Sequence, residues 1–363
     1  MSSAATLSAG VRAQSRRRRA WLAIGALAGL LLALVLVSLA TGAVQMSPAR
    51  ALSIVAARAG LQLPSYRAAD PETLARQATV LLAIRAPRVL GAVLIGAVLA
   101  VSGAALQGLF RNPLADPALV GVSGGAAVAV AGVIVLGGGA TVWALPLGAF
   151  AGSVAATALV YVLATRRRRT DVATLLLAGI AVNALAGAGN GLFIFAADDA
   201  QLRDITFWSL GSLGGLTWRS LAVTGPVMAA SIVLVPRLSR QLNTLLLGER
   251  DAAHLGTNVQ VVKILSVAAV AAGVGAAVSV SGIIGFVGLV APHLVRLAIG
   301  PDYRTLVPGA AVLGASLLLL ADLVARTAVA PAELPIGIVT ALVGGPFFLW
   351  LLVRFRERGG VHA

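Results

Sequence analysis

Residues 85–117 read RAPRVLGAVLIGAVLAVSGAALQGLFRNPLADP, and their charge pattern settles what kind of protein this is. Between Arg88 and Arg111 no residue carries a charge. That run matches the roughly 20 residues with which a helix crosses the hydrocarbon core of a bilayer. Lipid alone would not require the Arg85-Ala-Pro-Arg88 before it or the Arg111-Asn-Pro-Leu-Ala-Asp-Pro117 after it, so both ends carry further meaning.

Composition extends this reading to the whole chain. Its 363 residues are 59% hydrophobic and 11% charged, with a mean hydropathy of +0.95. Such a chain has lipid as its main solvent, and a soluble domain is excluded. A net charge of +15 would suggest nucleic acid in a soluble protein. Here the arginines lie between apolar runs, where they orient the chain against anionic membrane lipid. No aromatic-rich basic stretch of the kind that stacks bases is present, so nucleic acid is not an expected partner. Cysteine is absent, which removes disulfides, thiolate metal sites and a cysteine nucleophile.

Uncharged runs divide the chain into ten expected crossings. The first, from Ala20 to about Thr41, follows Arg16–Arg19; it is longer than the apolar part of a signal peptide and lacks a clear cleavage box, so it reads as a retained helix behind a basic cytoplasmic segment, 1–19. A polar, proline-containing segment from Arg50 to Arg85 precedes the second span. Pro117–Thr165 holds two crossings joined at Gly137-Gly138-Gly139, and Arg166–Arg169 closes that hairpin. Asp171–Ala197 is the fifth span, 198–219 an amphipathic linker, and Ser220–Pro236 the start of the sixth. After Lys263 the uncharged run to Val295 is too long for one crossing and too short for two; Gly282, Gly285, Gly288 and Pro292 interrupt it, which predicts a full seventh helix and a shortened eighth. Spans near Thr305–Thr327 and Leu334–Val353 return the tail, 354–363, to the inside. Most of the 28 Lys and Arg then fall inside, as the positive-inside tendency requires. The expectation is an all-α integral membrane protein of about ten transmembrane helices, with 20–353 as one membrane domain.

The available chemistry is narrow. Lys263 is the single lysine and follows no glycine loop, so Gly121-Val-Ser-Gly124-Gly125 is a packing or turn element and the chain has no ATPase motif of its own. His254, His293 and His362 have no partner at metal-ligand spacing, and no metal site is expected. Asp322, four residues before Arg326, reads as half of a local ion pair rather than a proton relay. An ion-coupled secondary carrier would need more embedded acids or an inverted repeat, and neither is found. The energy source is expected on another subunit.

Arg85-Ala-Pro-Arg88, Ser102-Gly103-(x3)-Gln107, Arg111-Asn-Pro-Leu-Ala115, the run from Gly285 through Pro292-His293 to Arg296, Leu320-Ala-Asp322 to Arg326, and Ala332-Glu333-Leu-Pro335-Ile-Gly337 resemble, in order, the permease subunits of type II ABC importers. That family carries haem, ferric siderophores and cobalamin. The resemblance implies a ten-helix subunit of the bacterial inner membrane with both termini cytoplasmic. It implies as partners a second copy of the chain, two ATP-binding subunits holding ATP and Mg, and a periplasmic substrate-binding protein. No cofactor is implied for the chain itself.

Three groups of residues follow. Arg85 and Arg88 sit at an outer span mouth, where two cations invite an acidic partner or snorkel to lipid phosphate; the resemblance makes them, with Arg326, docking sites for the binding protein. Leu247, Gly248, Glu249, Ala252, Ala253, Leu255 and Gly256, within the inside loop at about 239–260, read as a short glycine-bounded helix shaped for a groove in another protein, and resemble the coupling helix that engages the ATPase. In the fifth span Gly179, Asn183, Gly187 and Asn190 share one helix face, which must meet either protein or a pore; the resemblance favours the pore. Residues Asp198 to Leu213 look most like haem-importing members, which places haem ahead of a ferric siderophore, and both ahead of cobalamin, as cargo.

Overall fold

The computed structural model describes residues 2–357 apart from 43, 59, 62–69, 138–142 and 168. Gly138 and Gly139, Arg168 and the tail from Arg358, His362 included, lie outside the described residues. α1 (Ser2–Ala40) enters the membrane domain behind the basic cluster. The segment expected as a polar connection is largely helical. It holds α2 (Pro48–Arg58) and α3 (Pro71–Thr79), the latter started by Asp70, whose carboxylate accepts from the Thr73 amide at 3.0 Å. A π-helical stretch, Val80–Arg85, joins α3 to α4 (Ala86–Leu109).

A 3₁₀ turn, Pro117–Val120, is capped by Asp116 and ends at left-handed Gly121, where α5 (Val122–Leu136) begins. Then come α6 (Ala144–Leu163), a hairpin of two-residue strands β1 (Thr165–Arg166) and β2 (Arg169–Thr170), and α7 (Val172–Ala196). The expected linker instead contains α8 (Asp199–Leu210), whose start is fixed by a reciprocal capping box between Asp198 and Gln201. α9 (Trp218–Arg237), α10 (Ser239–Leu245), α11 (Glu249–His254) and α12 (Val259–Ser281) follow. The chain closes with α13 (Val287–Ile299), α14 (Tyr303–Thr327) and α15 (Ile336–Glu357).

Among the described residues seven helices are long and apolar enough to cross a bilayer, and α5, α13 and Ile336–Leu351 are apolar but shorter. These ten occupy the ten expected positions, with α13 as the shortened eighth.

At the centre runs α4, packed on α14, α12, α13 and α9, with most of its apolar window buried. Helices in lipid gain little from the hydrophobic effect and associate by close packing, which favours small residues. A methyl on Gly103 would lie 1.8 Å from the Gly288 carbonyl oxygen, and one on Gly96 2.4 Å from that of Gly314, so α13 and α14 approach α4 backbone to backbone. The same approach joins α5 to α6 at Gly125 and Gly152, which gives the Gly121–Gly125 cluster its packing role. Arg296 on α13 donates to Gln107 on α4 at 2.8 Å. Two motifs far apart in sequence are therefore one contact in space.

Candidate functional sites at the two ends of the bundle

At one end, the start of α4 meets the ends of α1 and α14. Arg85 closes the π-helical stretch and donates to the carbonyls of Leu39 at 2.8 Å, Ala40 at 2.9 Å and Val44. Arg88, one turn on, donates from Nε to Asp322 at 2.9 Å and from Nη1 to Glu333 at 2.8 Å. Arg326 reaches back to α1, bonding the Thr41 carbonyl at 2.7 Å and both the carbonyl and the hydroxyl of Ser38. The expected Asp322–Arg326 pair is present but long, at 3.5 Å; Arg88 is the closer partner.

The three arginines expected to dock the binding protein thus have partners within the chain itself. All three guanidiniums are buried and already bonded within the chain, because a charge withdrawn from water needs partners at once. The half-exposed member of the cluster is Glu333, and Arg203 and Arg219 near the ends of α8 and α9 are exposed.

At the other end, α11 is bounded by Gly248 at φ +114° and Gly256 at φ +81°, both in the left-handed region that favours glycine. Leu247 and Leu255 are each 62% exposed, and Ala253 and Gly256 are exposed beside them. Ala252 departs from the expected groove-facing set: it is fully buried in the chain's own core, and its methyl cannot meet a partner there. Glu249 forms an ion pair with Lys263 at 2.7 Å.

The α7 residues divide. Gly179 packs against the Leu119 carbonyl, where a methyl would lie 1.9 Å from the oxygen, and Asn183 donates to the Ala118 carbonyl at 2.8 Å. Both therefore meet the 3₁₀ turn, whose carbonyls a single helical turn leaves accessible. Asn183, expected on a path, ties α7 to that turn from a partly exposed position. Gly187 has open space beside it, and the Asn190 amide oxygen is buried without a hydrogen-bond partner among the described residues. No three His, Cys, Asp or Glu converge among the described residues.

Comparison with known proteins adds the family dimension. The FecCD transport family profile matches residues 30–354. The chain is 50% identical over 286 residues to the hemin transport system permease protein HmuU of Yersinia pestis, covering 76% of this chain and 84% of that protein. Identity is 45% over 274 residues with the cobalamin import system permease protein BtuC of Halobacterium salinarum, covering 76% of this chain and 73% of that one. Among solved structures, an inward-facing metal-chelate type ABC transporter superposes with a TM-score of 0.79 at 31% identity, covering 91% of this chain and 98% of that chain.

Proposed function

We propose, from the premise that this chain belongs to the FecCD transport family, that it is the membrane subunit through which haem enters the cell. At the coarser level it is a multi-pass ABC importer permease, a transport subunit rather than an ATPase. In the proposed assembly two copies enclose the path in the inner membrane, with the termini cytoplasmic. A periplasmic binding protein delivers cargo to the Arg88–Glu333 end, and two ATP-binding subunits engage the exposed Leu247 and Leu255 of α11.

The observation that carries the haem assignment is the 50% identity with a hemin permease across 84% of that protein, against 45% and 44% with cobalamin permeases. The narrowness of that margin makes cobalamin the second reading. The composition adds a bound on any cargo: without cysteine, and with three methionines in the whole chain, the path is poor in soft ligands for a bare metal ion, and a metal would travel inside an organic complex.

The test is reconstitution of the chain with its ATPase and binding protein in proteoliposomes, with haem, a ferric siderophore and cobalamin supplied side by side. ATP-dependent accumulation of haem above the other two supports the assignment. Preferential uptake of cobalamin or the siderophore reassigns the cargo within the family, and uptake by the chain alone driven by an ion gradient overturns the mechanism.

A further inference from the structure

Lys263, the single lysine of the chain, is buried in the first turns of α12, where an ammonium is costly unless it is paired and hydrogen-bonded. It has two partners. Nζ bonds Glu249 at 2.7 Å and also donates to the Thr170 carbonyl. Glu249 is the first residue of α11, with its side chain 41% exposed. Thr170 ends the β-hairpin, immediately before Asp171, the residue that caps α7. One cation thus joins the exposed inner helix to the root of α7.

The surrounding polar groups stiffen this joint. Gln260, one turn before Lys263, donates to the Tyr161 hydroxyl at 2.6 Å and the Thr170 hydroxyl at 2.7 Å, while accepting from the Thr170 amide at 3.1 Å. Thr170 in turn donates to Tyr161, which belongs to α6. α6, the hairpin, α11 and α12 therefore meet at one part-buried, hydrogen-bonded node, and the hairpin leads directly into the cap of α7.

We propose that Lys263 is a positioning residue: a strut that transmits displacement of α11 to the inner end of α7. The proposal rests on the permease reading, in which α11 meets the ATPase. Coupling between separate sites needs a physical element whose arrangement both sites bias. A buried ammonium paired to a half-exposed carboxylate and backed by a hydrogen-bonded node serves this purpose, because it resists shear between the elements it joins.

Wild type, Lys263→Gln, Lys263→Arg and Glu249→Gln are compared in the reconstituted complex, with haem uptake and ATP hydrolysis measured together. Lys263→Gln is expected to lower uptake per ATP by about tenfold while assembly and hydrolysis persist, and Lys263→Arg to restore most of it. An unchanged ratio in assembled Lys263→Gln overturns the strut. Should that variant fail to insert, Glu249→Gln, altered at the half-exposed partner, decides the matter by the same ratio.

An independent readout uses the natural absence of cysteine. Spin labels at Arg250→Cys on α11 and Ala173→Cys on α7, both exposed positions, report one separation. That separation should hold on nucleotide addition in the wild-type background and become nucleotide-dependent with Lys263→Gln; equal behaviour in the two backgrounds counts against the strut. A wild-type complex that assembles but moves no cargo would instead defeat the permease reading, so the two failures are separable.

Discussion

Arg88 reaches two carboxylates that enter from the far end of the chain, Asp322 at the close of α14 and Glu333 in the connection after it. Its two bonds differ in environment. Asp322 is 1% exposed, and removal of its main partner leaves a buried carboxylate under-compensated; Arg88→Met is expected to cost about 3–5 kcal/mol. Glu333 is 46% exposed, so Glu333→Gln should cost less than about 1 kcal/mol. Thermal unfolding in detergent separates the two, and equal losses would mean that burial does not set the balance. Arg88→Met combined with Asp322→Leu should recover most of the first loss, since a buried pair exchanged for apolar groups is often neutral.

At the scale of elements, what the sequence displays depends on whether the determining signal is local. Charge-free length places the ten membrane helices, and glycines on either side of a short apolar and charged segment place α11. The α8 helix escaped that reading although Asp198-x-x-Gln201 is a local capping signal, because its apolar residues do not form a run long enough to stand out from a linker. Nothing local tells Arg88 that its partner is 234 residues away. The burial of Ala252 was equally hidden, since a small residue on a short helix fits either a partner's groove or the helix's own core. That difference is testable: Ala252→Trp should overpack the core and cost about 1–3 kcal/mol. Leu255→Asp, at an exposed site, should leave the unfolding temperature alone and weaken ATPase association in pull-down; matching stability losses would show that both face inward. Capping carries a pH signature. The Thr174 hydroxyl and amide each bond the Asp171 carboxylate at 2.7 Å and, the hydroxyl foremost, hold it below the ordinary carboxylate range. A depressed folded value means that its contribution is complete above the unfolded carboxylate's value near 3.9 and lost as pH falls through the lower folded one. Asp171→Ala should therefore cost about 1 kcal/mol at neutral pH, with the gap to wild type closing in strong acid.

For the whole molecule, α7 presents an apolar face with little of this chain against it: Leu185 and Leu192 are each 71% exposed and Phe195 is 91% exposed. Lipid or a second copy would cover that face. If a second copy packs on it, Leu192→Cys should cross-link subunit to subunit under mild oxidation in native membranes, and nucleotide should change the yield. Leu163→Cys at the end of α6, also exposed, serves as the control. Equal yields at the two positions would indicate random collision.

The centrality of α4 also bears on how the protein is made. Ribosomes add about 5–20 residues per second, so Asp322 follows Arg88 into the world by roughly 10 to 50 s. Throughout that interval the nascent chain holds a guanidinium at the mouth of its second span with neither of its two carboxylates yet synthesised. Biogenesis therefore depends on whatever shelters that helix from lipid, namely headgroup phosphates or an insertase. Translation products that end before Asp322 keep that guanidinium at a membrane boundary without either carboxylate, whereas the finished chain pairs it with both.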